Sequence, residues 1–317
     1  MVTHPLSIWL VIKEASRQWL DDKAPRLGAA LAYYTVFSLA PLLIVVIGIA
    51  GLLFGHDAAQ AGVTSEFENL VGARGAEAVR AMLASANQPG SGGVGSVLGI
   101  VMLVFGAAGL FGELQDALNT IWHVQPTPGR GLVGILRDRL LSFSMVIGVA
   151  FLLLASLVVS AALAALARLL HDWQTSVLGL CITTLVDLTV LTVLFAMIFR
   201  FLPDVRIAWR NVWLGAAITA VLFTVGKTAI SVYLGHSGIA SAYGAAGSLA
   251  VLLVWIYYTS QVFLFGAELT KAYANQRGSQ VVPKPNADLT TAEVSGAPEN
   301  PASGKSHGSP YRAAPAK

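Results

Sequence analysis

The sequence predicts an all-α, polytopic membrane protein with six transmembrane helices and amphipathic surface helices beside them. Three observations carry this. Charged residues make up 12% of the 317 and hydrophobic residues 55%, with a mean hydropathy of +0.68, whereas soluble domains are about one quarter charged. Apolar runs long enough to cross a bilayer recur along the chain, and Lys and Arg gather at one set of their ends. One membrane domain with flanking segments follows, rather than the two soluble domains that length alone would allow.

The clearest pair of runs is 211–235 and 244–270, joined by the short polar turn 236–243. Each exceeds the roughly 20 residues that span a hydrocarbon core at about 1.5 Å per residue. The second reads GAAGSLAVLLVWIYYTSQVFLFGAEL, small at its entrance, aromatic through its middle, and closed by the carboxylate of Glu268. Together they form a transmembrane hairpin, spans five and six.

From the start of the chain, residues 5–23 set Leu6, Trp9, Ile12, Trp19 and Leu20 against Lys13, Glu14, Arg17 and Gln18. That pattern is an amphipathic helix lying on the membrane, and residues 1–28 form the N-terminal segment. The first apolar run begins near Leu27, too late and too long for a cleaved leader. Span one, about 29–54, contains Pro41, whose ring and missing N–H predict a kink and a freed carbonyl at Phe37.

Residues 55–91 are the longest connection, with Asp57, Glu66, Glu68 and Glu77 against Arg74 and Arg80. Val63, Phe67, Leu70 and Val71, then Val79, Met82 and Leu83, have helical spacing and predict one or two surface helices in an external insert. Span two, about 92–113, has Gly95 and Gly99 at a spacing that lets helices approach closely. A Gln-Pro-Thr-Pro-Gly-Arg-Gly break at 125–131 is a loop. Span three (140–167), span four (177–199) and Phe201-Leu202-Pro203-Asp204 lead into the hairpin. The six-span domain thus covers 29–273. From 274 to 317 the chain holds six of its 13 prolines among Ala, Ser, Gly and Lys, a composition that predicts a disordered tail.

Counting Lys and Arg at the span ends gives the orientation. One side has thirteen: Lys13, Arg17, Lys23, Arg26, Arg130, Arg137, Arg139, Arg200, Arg206, Arg210, Lys271, Arg277 and Lys284. The other has Arg74, Arg80 and Arg168. Both termini are therefore expected in the cytoplasm.

Ionisable groups within the spans are few, and charges at such depth face a bundle interior, a partner or a cavity. Asp187 in span four and Lys227 in span five fall at roughly the same depth, about 20 Å from the basic end at 1.5 Å per residue. They are read as an intramembrane charge pair. Glu113 and Glu268 sit at the cytoplasmic ends of spans two and six in related settings, Leu110-Phe111-Gly112-Glu113-Leu114 and Leu264-Phe265-Gly266-Ala267-Glu268-Leu269. Tyr33 and Tyr34 would line a polar route through the bundle. Cys181 lies inside an apolar run and is expected to pack there.

Other motifs argue against enzyme classes. Gly226-Lys227-Thr228 ends like a phosphate-binding loop, but Val221 stands where the leading glycine belongs, and a mid-span helix cannot form that loop. His4, His56, His123, His171, His236 and His307 form no local pair with metal-ligand spacing. No basic-aromatic stripe or RNA-binding module is present in the sequence. No catalytic residue, metal or cofactor is predicted, and nucleic acid is not an expected partner.

Several ordered motifs carry a family resemblance. They are Ala29-Ala30-Leu31-Ala32-Tyr33-Tyr34-Thr35-Val36-Phe37-Ser38-Leu39-Ala40-Pro41, Leu118-Asn119-Thr120-Ile121-Trp122, Phe201-Leu202-Pro203-Asp204, and S-A-Y-G-A-A-G-S-L-A-V-L-L-V-W-I-Y-Y followed by G-A-E-L. Over about residues 5–275 the chain resembles the YihY/BrkB family of bacterial inner-membrane proteins, some of whose members have carried a ribonuclease label. The resemblance implies a multi-pass protein of the bacterial inner membrane and no particular substrate. The expected function is a permease or a protein handling lipid or envelope components. The alternative is a non-transporting envelope scaffold, and in either case the partners are the lipid bilayer and other membrane or envelope proteins.

Overall fold

A computed structural model of the chain describes residues 8–86, 109–127, 177–236, 246–278, 281–285 and 287–290. The described elements are α1 (Ile8–Asp21), α2 (Ala24–Phe54), α3 (His56–Ala86), α4 (109–121), β1 (Val124–Pro126), α5 (Val177–Phe201), α6 (Trp209–His236), α7 (Gly247–Gln276) and β2 (Ala287–Leu289). Four helices are long and apolar enough to cross a membrane: Ala24–Leu52, Cys181–Phe201, Trp209–Ile230 and Gly247–Gln276. They correspond to the expected spans one, four, five and six. The expected spans at 92–113 and 140–167 lie outside the described residues, apart from 109–113.

Helix α7 is the axis of the described bundle and packs against α1, α2, α3 and α6. Its second half is buried nearly all round, from Phe263 through Ala274 with Phe265 half-buried. A helix apolar on every side has this place in a core. Phe195 and Phe199 of α5, Phe223 of α6 and Phe263 of α7 form one aromatic cluster, with ring centroids 5.1–6.2 Å apart.

Small residues set the approach of α6 to α7. Gly215 faces Thr270, and Gly266 faces Thr219, so closely that a Cβ on either glycine would collide with the facing threonine. Each threonine hydroxyl is satisfied within its own helix, Thr219 Oγ1 on the Gly215 carbonyl (2.7 Å) and Thr270 Oγ1 on the Gly266 carbonyl (2.8 Å). Such small-residue seams join membrane helices where no hydrophobic force separates lipid from neighbour. Gly266→Val is expected to cost about 1–3 kcal/mol through overpacking. Thermal unfolding in detergent reads this, and an unchanged midpoint would show that the seam is loose.

Helix α1 has two apolar faces. Val11 and Ala15 are buried against Leu269, Ala272 and Tyr273 of α7, while Ile8, Trp9, Leu10 and Leu20 are exposed, Trp9 by 69%. The amphipathic helix expected at this position is therefore clamped to the bundle by one face and open along another. Helix α2 runs unbroken through Pro41.

The segment after α2 is helical, as its spacing predicts, and keeps Asp57, Glu68, Glu77 and Arg80 exposed. Helix α3 bends at Gly72 (φ 77°, ψ 169°) and packs on α2 and α7, with Val71, Ala76, Val79 and Leu83 buried. Two expectations are corrected. The tail expected to be unstructured from 274 is ordered in part. Helix α7 runs to Gln276, and β2 pairs antiparallel with β1 in the register Val124↔Leu289, Gln125↔Asp288, Pro126↔Ala287. Cys181, expected to pack, is exposed on α5.

Candidate functional site

Four segments meet at one end of the bundle: the α1–α2 junction, the end of α4, the α5–α6 connection, and the end of α7 with the strand after it. All four belong to the side that the Lys and Arg count makes basic. Two polar clusters bind them together.

The first cluster is built on two left-handed residues. Helix α1 ends through Lys23 (φ 55°) and α4 ends through His123 (φ 51°), the two non-glycine residues with positive φ among those described. Side chains seldom adopt this conformation, and it persists where the surroundings over-determine it. The first turn directs Asp22, and the second directs the His123 ring, to a common point.

His123 Nε2 lies 3.0 and 3.2 Å from the two Asp22 carboxylate oxygens. Lys271 Nζ lies 3.4 Å from His123 Nδ1 and 3.2 Å from Nε2, and 3.9 Å from Asp22. With Nε2–H donating to Asp22, the near-equal distances from Lys271 Nζ to the two ring nitrogens place the ammonium against the ring beside the same carboxylate, so carboxylate, imidazole and ammonium form one compact cluster. The Lys271 side chain is only 2% exposed and that of Asp22 13%, whereas that of His123 is 34% exposed. The cluster is covered from the protein side and opens outward through the imidazole.

Glu268, one helical turn from Lys271 on α7, is 0% exposed. Among the described residues no N–H or O–H donor reaches its carboxylate oxygens, and the side chain it meets at hydrogen-bond range is another carboxyl, that of Asp22. Lys271, Asp22 and Asp21 are the charges acting on it, and Glu14 of α1 also feels Lys271. A buried carboxyl without a donor is stable only when neutralised by a proton or balanced by a nearby cation. Lys271 is that cation, and it is shared with Asp22.

The second cluster joins two motifs of the sequence, Leu118-Asn119-Thr120-Ile121-Trp122 and Phe201-Leu202-Pro203-Asp204. Buried Asn119 donates from Nδ2 to Asp204 Oδ2 (3.0 Å) and accepts at Oδ1 from the Asp204 backbone N–H (2.8 Å). Gln115 Nε2 donates to the same carboxylate oxygen (3.1 Å). The strand after α7 closes over this lock. Lys284 N–H donates to the Asp204 carbonyl (2.8 Å), Arg206 N–H to the Val282 carbonyl (2.9 Å), and Thr290 N–H to the His123 carbonyl (2.8 Å). Lys284 Nζ reaches the Phe201 carbonyl (2.9 Å). Burial pulls the Lys284 ammonium below its usual range, and the Asp204 charge works against that shift.

Of the residues singled out from the sequence, Glu268 is thus central. Glu113 is half-buried on α4 and has Asp116 as a neighbouring charge; no contact joins it to Glu268 among the described residues. Asp187 and Lys227 are each half-buried on helices that pack together, α5 and α6. The ion pairs of the described residues join Glu14 to Arg17, Glu68 to Arg80, and Asp22 to His123 and Lys271; none joins Asp187 to Lys227. Tyr33 and Tyr34 stand on an exposed face of α2, Tyr33 59% exposed, with ring centroids 5.7 Å apart. They line neither the polar cleft of about 490 Å³ on α3, around Asp57, Thr64, Glu68 and Arg80, nor the groove between α1, α6 and α7. Asp22, His123 and Lys271 escaped the sequence reading. The available signal was the spacing of Lys271 three residues after Glu268, which puts both on one helical face.

Long apolar helices around a buried charge cluster define a polytopic helical membrane protein. Its family is known from comparison: the model for "Virulence factor BrkB" matches residues 15–290, and the chain belongs to that family, the YihY/BrkB group. Curated relatives are each called "UPF0761 membrane protein". The one from Pseudomonas paraeruginosa is 29% identical over 275 residues, covering 85% of this chain and 64% of its own. That from Stenotrophomonas maltophilia strain K279a is 30% identical over 262 residues, covering 81% and 59%. That from Ralstonia nicotianae is 28% identical over 258 residues, covering 80% and 56%. The chain spans about three fifths of the length of these relatives. No solved structure matches it. The family match, residues 15–290, takes in β2 as well as the helices.

Proposed function

We propose that this protein is a permease of the bacterial inner membrane, non-enzymatic, with both termini in the cytoplasm and with the Asp22–His123–Lys271–Glu268 cluster as its cytoplasmic gate. The observation that carries the reading is Glu268, wholly buried, reached by no N–H or O–H donor among the described residues and facing a second carboxyl, Asp22. A carboxyl kept for architecture is held by donors on its oxygens; this one has an ammonium within one turn that is already engaged by His123 and Asp22. In the gate, Lys271 balances either Glu268 or Asp22. A proton arriving through the exposed edge of His123 neutralises the other carboxyl, and the junction of α1 and α2 is released from α7.

The experiment uses the full chain in liposomes. Dye-reported proton movement is followed across a panel of added solutes and lipids, with wild type beside Glu268→Gln. Wild-type vesicles should exceed protein-free ones, and Glu268→Gln should lower the rate by about tenfold or more. Its thermal stability should hold or rise, because the variant replaces a buried carboxyl that faces the Asp22 carboxyl by a neutral amide whose NH2 can donate to it. A large loss of stability would identify a structural ion instead. Wild-type vesicles as inert as empty ones across the panel would favour the scaffold reading, which the open apolar face of α1 supports.

A further inference from the structure

Helix α5 ends its membrane-crossing stretch at Phe201 and α6 begins its own at Trp209, so the corner between them stands where hydrocarbon gives way to headgroups. It belongs to the basic side of the chain. Three aromatic side chains are exposed there, Phe201, Trp209 and Trp213. Phe201 meets Trp209 with ring centroids 5.8 Å apart, and Trp209 meets Trp213, one turn further along α6, at 6.1 Å. Together they form a continuous apolar step at the level where indole rings concentrate in membrane proteins.

Cations collect around this step. The Arg200 guanidinium carbon lies 5.7 Å from the centroid of the Trp209 ring, a cation–π distance that steadies the group while leaving its N–H edges open. Arg210, next to Trp209 in the chain, is exposed, and so is Arg206 in the connection. None of the hydrogen bonds or ion pairs among the described residues takes up the side chains of these three arginines. Lys284, from the segment after α7, joins them. Burial lowers its ammonium below the usual range, the Asp204 charge raises it, and the Arg200 charge lowers it again. Arg200 and Lys284 thus stand near enough to repel. Segments 200–210 and 281–290 carry four cations, Arg200, Arg206, Arg210 and Lys284, against two carboxylates, Asp204 and Asp288. Asp204 Oδ2 is already held by Gln115 and Asn119. Positive charge is therefore left over at the corner, beside a platform of exposed rings.

We propose that the α5–α6 corner binds an anionic membrane phospholipid, with its phosphate at Arg200 and Arg210 and its glycerol and upper acyl chain on Trp209 and Trp213. One guanidinium can give a phosphate two parallel N–H bonds, and stacking on an indole holds Arg200 ready to do so. A shared anion also relieves the repulsion between Arg200 and Lys284. Charge complementarity selects an anionic lipid over a zwitterionic one, whose own ammonium cancels its phosphate. A lipid joins phosphate to hydrocarbon in one molecule, as the corner joins cations at the helix ends to indoles along the first turn of α6. The site does not depend on the gate, and its occupant is bilayer lipid whether or not anything is transported.

The test reconstitutes the full chain in vesicles carrying either phosphatidylglycerol or phosphatidylcholine, each with the same photoactivatable diazirine in one acyl chain, and maps adducts by mass spectrometry. Phosphatidylglycerol should label Phe201, Trp209 and Trp213 about fivefold more than phosphatidylcholine does. Exposed Leu185 and Val225 should be labelled alike by both lipids in every variant, which reports an intact fold. Arg200→Gln combined with Arg210→Gln should bring the two lipids level at the corner. Arg200→Lys keeps the charge but loses the paired donors and the stacking plane, so it should lower the preference by about half or more. Equal labelling by the two lipids in wild type, or a preference that survives the double variant, would overturn the proposal. A preference undiminished in Arg200→Lys would overturn it too, since diffuse attraction to a basic surface behaves that way. So would an absence of corner adducts while Leu185 and Val225 are labelled, as expected if another part of this chain covers the rings. Glu268→Gln should keep the full lipid preference, so failure of the gate leaves this result unaffected.

Discussion

Truncation after Arg277 is expected to lower the unfolding free energy by about 2 kcal/mol, whereas truncation after Thr290 leaves it unchanged. Beyond the β1–β2 ladder, the segments 281–285 and 287–290 make three main-chain hydrogen bonds to the rest of the chain, with Asp204, Arg206 and His123, together with the bond from Lys284 Nζ to the Phe201 carbonyl. Val281 and Leu289 pack on the core and Ala287 is buried. Each such bond is worth about 0.5–1.5 kcal/mol net, and the ordering entropy of the strand, about 1–2 kcal/mol per residue, works against the sum. A modest net loss follows, and it falls on the end of the bundle that holds both clusters. Denaturation of the two truncated proteins in detergent measures it; equal midpoints would show that the strand is dispensable.

That strand also shows where composition misleads. The segment from 274 to 317 is rich in proline, and read as a whole it has too little apolar area to fold alone. Within it, Val281-Val282-Pro283-Lys284-Pro285 and Ala287-Asp288-Leu289 find an edge to pair with. Prolines are tolerated in an edge strand wherever their missing N–H faces away from the ladder. Outside the ladder with β1, the donors in use are those of Lys284 and Thr290, with Arg206 donating from the other side. An average over many residues hides a short strand whose partners lie far away in the chain.

The same distinction separates the legible parts of the site from the rest. Four apolar helices were readable because bilayer thickness fixes their length. Glu268 was readable because a carboxylate at the end of an apolar run is conspicuous. Its neighbours were not, since Asp22 and His123 are 101 residues apart, and His123 and Lys271 148, and the left-handed turns at Lys23 and His123 follow from no local glycine signal. For Asp187 and Lys227, matched depth was a count of rise per residue alone. Each residue also turns about 100° around a helix, and it is this azimuth that decides whether two side chains on packed helices meet.

The largest expected loss is at the lock between Asn119 and Asp204. Asn119→Leu removes the acceptor of a buried backbone N–H and one donor to the Asp204 carboxylate, leaving Gln115 as its remaining side-chain donor. Unsatisfied groups of this kind cost about 1–3 kcal/mol each, more where a charge is involved, so the variant should lose about 2–4 kcal/mol. Asp204→Ala should lose somewhat less, because the backbone N–H of residue 204 still donates to Asn119 Oδ1. The two side chains form one unit, so the double variant should be less damaged than the sum of the singles by about 0.5–3 kcal/mol. Unfolding of the four proteins in detergent gives this coupling directly. Simple additivity would mean that the two motifs touch without supporting each other, and that the strand above them, rather than this side-chain lock, holds α4 to the α5–α6 connection.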